Sequence, residues 1–537
     1  MNKLFTQLLQ IRNIKPDFLD PKYESLADPF VMPDMKPAIA RIKQALKNQD
    51  KVLIYGDYDV DGITASTVMK QALELAGLKN IDIMLPDRFA DGYGMSERLV
   101  TKATKSNTNL VITVDCGSGN HEIIDKLSSA GIDTIVTDHH ECPAELPKAI
   151  AVINPKRHDY TGDKTLRDLA GVGVAFKVAQ ALVKEHLIPA GQEKWLLDLV
   201  LIGTICDSMM LTRENRILTY YGMKVLAKTR RPGLIELMRS AGIKTLQSEA
   251  IGFQIGPRLN SAGRLQTADL SLQLLLSTKS AESAQLTAKL EELNQTRRAE
   301  QKSAIAEIKS HGLENFTTPV IIETGNWHEG VLGIIAGRLV DDYHRPAFVL
   351  TKLENDIYKG SARSFGDFNL AKALEYAKDT IISGGGHSAA AGVKLSADQL
   401  DNFRAKITEY YRSLHLTDQE KYFHTTADLS IDNFEDLSLE LLEDIARLEP
   451  FGDGNPEPIF EIKQAHILQT TRMGADGQHL RLDIEDSKGR TLKLVAFFAP
   501  EAWFSLDPDT LYNFFIKLVE NNFNNVKTVE ARLLNVI

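Results

Sequence analysis

The 537-residue sequence has only three cysteines, and no run of eighteen consecutive apolar residues occurs in it. Cys116, Cys142 and Cys206 are too few and too widely spaced for a disulfide framework or a cysteine-rich zinc site. The missing apolar run argues against a membrane-spanning helix. The N-terminal residues also lack the apolar stretch of a secretory signal peptide, so we expect a cytoplasmic protein without a membrane partner.

An overall excess of positive charge is also missing. The formal net charge is −10 at pH 7, which taken alone argues against a nucleic-acid partner. Residues 211–264 are the exception, because they contain ten basic and three acidic residues. This local excess is consistent either with a surface that binds a polyanion or with an ordinary solvated helical face.

The order of apolar and polar segments predicts an α/β protein of several domains. Between about residues 50 and 210, strand-like runs such as KVLIY and LVITV alternate with helical runs, which is typical of a parallel sheet. Residues 266–311 contain no proline or glycine and are rich in helix formers, so we expect a helix that bridges two lobes. A second, smaller α/β unit follows.

The C-terminal part has a different pattern. Residues 416–425 are interpreted as a linker, and about five short alternating strands follow, which favours an OB-fold barrel. Some aromatic residues of this barrel could stack on bases, although aromatics at period two mostly lie in a core. We predict four domains. They are a first α/β domain with its N-terminal segment (residues 1–235), a basic helical connector (236–312), a second α/β domain (313–412) and the barrel (413–537).

Three carboxylates directly follow the apolar run KVLIY. Asp57, Asp59 and Asp61 stand at alternate positions in GDYDVDG, so they lie on one side of the chain wherever it is extended. Three neighbouring negative charges repel one another unless a cation lies among them. An EF-hand is excluded because its twelfth position would be Val68 instead of glutamate. A solvated turn remains the plain alternative.

Further acidic and histidine side chains follow other apolar runs: Asp115 in VDCG, then Asp138, His139 and His140 in TDHHE, and Asp207 in GTICD. Each alone could be a helix cap or a core residue. Several buried carboxylates without partners would cost several kcal/mol each, roughly, so a shared cation explains them better. Carboxylates with an imidazole suit Mn²⁺ or Mg²⁺. Two such ions can activate a water for attack on phosphorus.

These segments resemble a known family. DYDVDG, VDCG, TDHHE and GTICD, in this order, resemble the four motifs of the DHH phosphoesterase superfamily, and SARS with SGGGHSAAAGV resembles its DHH-associated domain. Four more segments, AGVGVAFKVAQAL, GFQIGPRLNSAGRL, NWHEGVLGIIAGRL and PFGDGNPEP, are similar to segments of the bacterial single-strand-specific exonucleases of that superfamily. The resemblance extends from about residue 25 to the C-terminus.

The resemblance implies a 5′-to-3′ exonuclease that releases mononucleotides from single-stranded DNA in recombination and repair, using two Mn²⁺ or Mg²⁺ ions. It implies that Asp115 bridges the two ions, and that Asp138 and His140 orient the ligand histidine and complete the catalytic set. The implied ligands are Asp57, Asp59, Asp61, Asp115, His139 and Asp207.

Phosphate-binding residues are implied in the same way. In the second α/β domain they are Ser361, Arg363, Gly385, Gly386 and His387. These would face the metal ions across a cleft. They would suit phosphate oxygens because an arginine has a planar fork of donors and a glycine run exposes its backbone N–H groups. Arg88 would bind phosphate at the 5′ end, and Arg258 and Arg264 would contact the DNA backbone.

The resemblance leaves two alternatives open: a phosphodiesterase for short oligoribonucleotides or cyclic dinucleotides, and a DNA-binding scaffold without nuclease activity. The C-terminal residues and GPRLNSAGR favour a longer polymer, and the complete ligand set disfavours the scaffold. The implied partners are single-stranded DNA with a free 5′ end, single-strand binding protein and a RecQ-type helicase, with the enzyme itself a monomer.

Overall fold

The computed structural model describes residues 2–92, 94–312, 318–416, 425–524 and 526–537. Three units follow one another along the chain, and each is built around one β-sheet. The linker predicted at residues 416–425 lies outside the described residues except for its two ends.

The first unit contains a five-stranded sheet in the order β2-β1-β3-β4-β5, and every pairing is parallel. The central strands β1 and β3 are buried along their whole length, because helices cover both faces of the sheet. The strands are β1 (Val52–Gly56), β2 (Ile81–Met84), β3 (Leu110–Val114), β4 (Asp133–Thr137) and β5 (Ala151–Ile153).

The helices up to the second unit are α1 (Lys3–Ile11), α2 (Pro16–Leu19), α3 (Met35–Asn48), α4 (Val60–Leu75), α5 (Glu97–Lys105), α6 (His121–Ser129), α7 (Gly171–Lys184), α8 (Leu197–Cys206), α9 (Arg213–Leu226), α10 (Pro232–Ser240), α11 (Ser248–Ala250), α12 (Gly256–Leu265), α13 (Asp269–Leu276) and α14 (Ser280–Ser310). A π-helical turn, Ile251–Ile255, joins α11 to α12. Helix α14 contacts α10, α12 and α13 at one end and the second unit at the other, so it bridges the two lobes as expected. Among the described residues, no helix is both long enough and apolar enough to cross a membrane.

The second unit has a mixed sheet in the order β6-β7-β8-β10-β9, in which only β6 and β7 are parallel. Its elements are β6 (Ile321–Gly325), α15 (Leu332–Tyr343), β7 (Ala347–Lys352), β8 (Ile357–Arg363), α16 (Leu370–Tyr376), β9 (Ser383–Gly386), β10 (Ala390–Ser396) and α17 (Leu400–Ser413).

The third unit is a barrel. The strand order is β11-β12-β13-β14-β16-β15, and an additional pairing between β12 and β15 closes the sheet on itself, as in an OB-fold. Its elements are β11 (Leu429–Ile431), α18 (Leu439–Ala446), β12 (Phe460–Met473), β13 (His479–Glu485), β14 (Thr491–Ala496), β15 (Tyr512–Phe523) and β16 (Val526–Val536). The predicted fold class, two α/β units followed by a barrel, is confirmed.

Helix α1 does not pack where the sequence analysis placed it, although Met32, Met35 and Ile39 of the N-terminal segment do lie in the core of the first unit. The prediction grouped residues 1–235 together, but Leu4, Phe5 and Leu8 of α1 belong to the hydrophobic core of the barrel. Arg12 also donates to Asp428 at 2.6 Å. The apolar face of an amphipathic helix does not specify which distant surface it packs against, so the sequence could not assign α1 to the barrel. In addition, part of the predicted connector shares the first unit's core, for example Leu237, Leu259 and Leu290.

Candidate metal centre

The predicted ligands meet at one edge of the first sheet. Asp57 follows β1, Asp115 follows β3, and His139 follows β4. Because the strands are parallel, their carboxyl ends lie side by side, and this edge is where α/β proteins build sites. Asp207 comes from a different direction, since it directly follows the last residue of α8.

His139 lies at the centre of the cluster. Its Nε2 atom is 3.0 Å from Asp115 Oδ1, 3.5 Å from Asp207 Oδ2 and 3.7 Å from Asp61 Oδ2. The side chains of His139, Asp61 and Asp115 are almost entirely buried, whereas Asp207 is 28% exposed. Asp207 is therefore the one of these four that solvent still reaches.

Two backbone N–H groups at the start of α7 hold Asp61. Gly171 donates to its carboxylate at 2.6 Å and Val172 at 2.9 Å. A Cβ atom at position 171 would lie only 2.5 Å from Asp115 Cβ, so glycine is required for this close approach. The segment AGVGVAFKVAQAL thus orients one candidate ligand and packs against another, a role that the sequence analysis did not assign to it.

Asp138 and His140 form a separate pair beside the cluster. Asp138 accepts hydrogen bonds from the backbone N–H groups of Ser118, His139 and His140 and from His140 Nδ1, the last at 2.8 Å. Burial would raise the pKa of Asp138, but the hydrogen bond and positive charge of His140 outweigh it and hold the pKa well below its usual range. Asp138 therefore fixes the orientation of the His139–His140 segment.

The atoms of this cluster suit divalent cations. Three sets of side chains each place one ligand atom from every member within 4.8 Å of the others, and the sets are Asp115, His139 and His140; Asp61, His139 and Asp207; and Asp57, Asp59 and Asp115. Asp57 Oδ1, Asp115 Oδ1 and His139 Nε2 are buried and accept or donate no hydrogen bond among the described residues. Such atoms are costly to bury unless a cation satisfies them. Asp115 and His139 each belong to two of these sets.

Without metal, the pKa values of the clustered side chains are strongly shifted. Burial is the first cause and neighbouring carboxylates add to it, so the pKa rises to about 8 for Asp57, about 7 for Asp61 and about 8 for Asp207, and well above its usual range for Asp115. Burial and then His140 lower the pKa of His139 to about 3. A neutral imidazole has a free lone pair for a metal, and metal binding must displace protons from the carboxylates.

We therefore expect the metal-free protein to lose stability as the pH rises from 6.5 to 8.0, with the melting temperature falling by roughly 5 °C. In this range unfolded aspartates are already ionised, while the folded carboxylates still retain protons, so the folded state binds more protons. Burial would lower the pKa of His140, but the hydrogen bond and charge of Asp138 outweigh it and raise this pKa to about 9. The loss of this proton as the pH rises therefore also destabilises the folded protein. Folded His139 is deprotonated throughout this range, whereas an unfolded histidine, with its ordinary pKa near 6.5, still binds about half a proton at pH 6.5, so His139 offsets a small part of the trend.

Mn²⁺ should reverse this trend, because its stabilising effect grows as fewer protons compete for the site. Thermal melts in EDTA and in Mn²⁺ at both pH values test the linkage. A melting temperature in EDTA that stays level or rises between pH 6.5 and 8.0 would contradict it.

A group of arginines lies next to the cluster. Arg88 stacks over the ring of Tyr58, 5.1 Å from its centroid, and Tyr58 immediately precedes the candidate ligand Asp59. Burial together with Arg88, Arg297 and Arg363 lowers the pKa of Arg264 to about 9, and burial and Arg88 also lower that of Arg363. Four guanidinium groups that repel one another give this half-buried space a positive potential, which would favour an anion such as phosphate.

The two lobes contribute different members of this arginine group. Arg363 ends β8 of the second unit and donates to Ser361 Oγ at 3.3 Å, whereas Arg88 and Arg264 belong to the first. Arg297, on the bridging helix α14, was not identified from the sequence, although the pair Arg297–Arg298 in a long helix was visible. Predicted phosphate-binding residues from distant segments are thus brought together.

Other predicted phosphate-binding residues are placed differently. Arg258 donates to Glu291 on α14 at 2.7 Å and to the Gln254 carbonyl at 3.0 Å, so its guanidinium is already engaged in an intramolecular ion pair. Gly385, Gly386 and His387 lie on the exposed strand β9 and the turn after it. No side-chain contact joins His387 to the acidic cluster within the described residues.

The basic segment 211–264 does not form one continuous charged surface. Arg216 is buried, Arg231 is paired with Asp198, Arg239 with Glu236 and Arg258 with Glu291. Four of the ten basic side chains are therefore buried or paired with carboxylates, a result that charge counting could not foresee.

Three family models match the chain: the DHH family N-terminal domain at residues 51–204, the DHHA1 domain at 317–413 and the RecJ OB domain at 427–535. The single-stranded-DNA-specific exonuclease RecJ of Bacillus subtilis is 36% identical over 95% of this chain and 64% of its own length. The RecJ of Haemophilus influenzae is 32% identical over 90% of this chain and 86% of its own length.

A solved structure agrees with these relatives. The crystal structure of RecJ in complex with Mn²⁺ from Thermus thermophilus matches with a TM-score of 0.84 and 26% identity, covering 100% of this chain and 76% of that one. The chain thus spans just under two thirds of the length of the Bacillus relative and more of the others. By its motifs, its three domains and these relatives, the chain belongs to the family of the single-stranded-DNA-specific exonuclease RecJ.

Proposed function

We propose that this protein is a metal-dependent exonuclease that removes mononucleotides from the 5′ end of single-stranded DNA. One observation carries the proposal: the acidic and histidine motifs of the family are all present and meet in one buried cluster beside an arginine group that spans two lobes. Neither a scaffold without nuclease activity nor a protein that binds only metal needs both features together.

The proposed ligands are Asp57, Asp59, Asp61, Asp115, His139 and Asp207, with Asp115 shared between two ions. Two ions bound here would supply an activated water and neutralise charge that develops on the phosphate. The chain's own residues do the rest. Asp138 holds the His139–His140 segment, the start of α7 orients Asp61, and Arg88, Arg264 and Arg363 bind and orient the phosphate of the scissile end.

The direct contact between the two lobes favours a single strand. The arginines come from two lobes that contact each other directly, since Arg264 donates to the Gly330 carbonyl at 3.4 Å and Phe89 packs edge-on against His328. A strand entering between them has to reach a buried metal cluster. We infer that one strand is threaded into this space and that a duplex is excluded by its width.

The barrel adds a surface for the strand behind the site. Phe497 and Phe498 are 57% and 67% exposed, whereas Phe514 of the same barrel is fully buried. His479 packs edge-on against both exposed rings, with centroids 5.4 and 4.9 Å apart, and so holds them in place. Exposed, fixed aromatic rings are a stacking surface for bases of any sequence.

We expect Phe498→Ala to weaken the binding of long single-stranded DNA by about tenfold, since stacking contributes about 1–3 kcal/mol per base. Fluorescence anisotropy in EDTA measures binding without cleavage. Leu511→Ala is the matched control, because Leu511 is an exposed apolar residue of the same barrel without an aromatic ring. An equal loss in both variants would refute a stacking role.

The activity itself is tested with a single-stranded DNA oligonucleotide labelled separately at each end, incubated with Mn²⁺ or with EDTA. We expect early release of a labelled mononucleotide from the strand labelled at its 5′ end and not from the strand labelled at its 3′ end. This release should require Mn²⁺, and duplex DNA should not be cleaved. Faster cleavage of a short RNA or a cyclic dinucleotide would assign the protein to the phosphodiesterases of the superfamily. Binding without cleavage would indicate a scaffold.

The setting of this activity is part of the same proposal. We infer that the enzyme works as a monomer in the cytoplasm on strands with a free 5′ end, and that single-strand binding protein and a RecQ-type helicase supply such strands during recombination and repair. Co-sedimentation of the purified protein with each partner tests these interactions. Gel filtration coupled to light scattering tests the monomer.

A further inference from the structure

Arg216 is a buried arginine whose acceptors belong to two distant parts of the chain. Only 1% of the residue is exposed, and it lies near the beginning of α9, nine positions after Asp207. Its guanidinium donates to the carbonyls of Phe18, Arg447, Leu448 and Glu449 at 2.7–3.2 Å. Arg216 therefore fastens the segment that leads into the barrel, and the N-terminal segment, onto the catalytic lobe.

The loop that follows the candidate ligand Asp207 touches the same segment. The Leu211 N–H donates to the Asp453 carbonyl at 2.7 Å. A Cβ atom on Gly454 would lie 2.8 Å from Met210 Cε, so this loop and the turn at 452–455 are in close contact. Asn455 shapes that turn, because its side-chain amide donates to the carbonyls of Leu448 and Pro450.

Asn215, next to Arg216, extends the network to the other ligands. It is 1% exposed, and its amide donates to the Met210 carbonyl at 3.1 Å and to the Asp168 carbonyl at 2.5 Å. Asp168 is three residues before Gly171, whose N–H donates to Asp61 and whose Cα packs against Asp115. One continuous set of contacts thus runs from the barrel turn to three members of the metal cluster.

We propose that Arg216 and Asn215 are positioning residues that couple the seating of the barrel to the geometry of the metal centre, chiefly through Asp207. Asp207 is the most exposed of the four central ligands, and within the described residues no backbone N–H donates to its carboxylate as two do to that of Asp61. Its own backbone N–H donates to the Gly203 carbonyl at 2.9 Å and so ties it to α8 on one side. On its other side it leads into the loop at 208–212, and that loop is held between Asn215 and the barrel turn. The inference rests on the proposed metal centre and does not require cleavage.

The test is the affinity of the full chain for Mn²⁺, measured without DNA by the electron paramagnetic resonance signal of free Mn²⁺. Arg216→Met keeps the volume and removes all four hydrogen bonds, and we expect affinity at the weaker of the two sites to fall by about tenfold, as is typical when groups that orient ligands are lost. Arg216→Lys should recover part of the loss, because an ammonium cannot reach four carbonyls. Arg239→Met, an exposed arginine on α10, is the matched control and should bind Mn²⁺ like the wild type.

Asn455→Ala should loosen the contact between the barrel turn and the loop at 208–212 from the barrel side. This variant tests the coupling if Arg216→Met fails to fold. Mn²⁺ affinity within twofold of the wild type in the folded variants would overturn the coupling. Absence of Mn²⁺ binding in the wild type would instead overturn the proposed metal centre itself, so the two failures can be told apart. Circular dichroism of every variant shows whether the fold is retained.

Discussion

Asp115→Asn should reduce release of the 5′ nucleotide by at least about 10³-fold, because the proposed bridging position would serve two metal ions that together contribute several kcal/mol, roughly, to the transition state. Asp115 is 2% exposed, lies 3.0 Å from His139 Nε2 and belongs to two of the three candidate ligand sets. An amide keeps the shape of the side chain but loses the charge and one shared oxygen. Single-turnover cleavage of a 5′-labelled strand measures the loss.

Binding and stability should behave differently from activity in this variant. Single-stranded DNA should still bind, because the arginines and the barrel are unchanged. The melting temperature in EDTA should be equal to or higher than that of the wild type, since the buried Asp115 carboxyl must take up a proton when the metal-free protein folds, whereas an amide needs none. Asp125→Asn, at an exposed position of α6 in the same lobe, is the matched control. Retention of more than a tenth of the wild-type rate by Asp115→Asn would refute the bridging assignment.

Arg363→Ala should lower kcat/KM on single-stranded DNA by about 10²-fold, because it removes a charge-assisted and bidentate contact to phosphate in a half-buried site. Arg363 is the member of the arginine group that the second lobe contributes, and its Nη2 atom lies 3.0 Å from the position of a Cβ on Gly333 at the start of α15. Lysine at this position should restore only part of the loss, since an ammonium cannot form the planar fork.

The salt dependence of the rate distinguishes the loss of a phosphate contact at Arg363 from a general loss of activity. Steady-state rates at several salt concentrations should show a smaller salt dependence for Arg363→Ala than for the wild type, because one phosphate contact is missing. Arg412→Ala, an exposed arginine on α17 of the same lobe, should behave like the wild type. If Arg363→Ala and Arg412→Ala are indistinguishable, the arginine does not contact the substrate.

The local pattern of the sequence predicted the strands, and the candidate ligands chosen from it lie together in one cluster. An apolar run such as KVLIY forms a buried strand wherever it is covered on both faces, and carboxylates that follow such runs must come together once the strands are parallel. Asp57, Asp115 and His139 could therefore be located from periodicity and residue type. About five short barrel strands were expected for the same reason, because the alternation of side chains is a property of neighbouring residues, and the barrel has six.

Interactions between distant segments were not predictable in this way. Asp61 is oriented by N–H groups 110 and 111 residues later, and Arg258 is occupied by Glu291 33 residues later. Helix α1 packs into a barrel that begins more than 400 residues after it. In each case the sequence contains suitable chemical groups, but many partners of equal chemistry compete for them.

The sequence by itself determined the family, the order of the domains and which side chains could hold metal, since these depend on motifs and on periodicity within short segments. Only the tertiary structure decided which arginines stay available for phosphate, where the N-terminal helix docks, and how the barrel reaches the loop after Asp207. The physical reason is that a charge or a hydrogen-bonding group can be satisfied by any complementary partner, and the packing of the whole chain selects one.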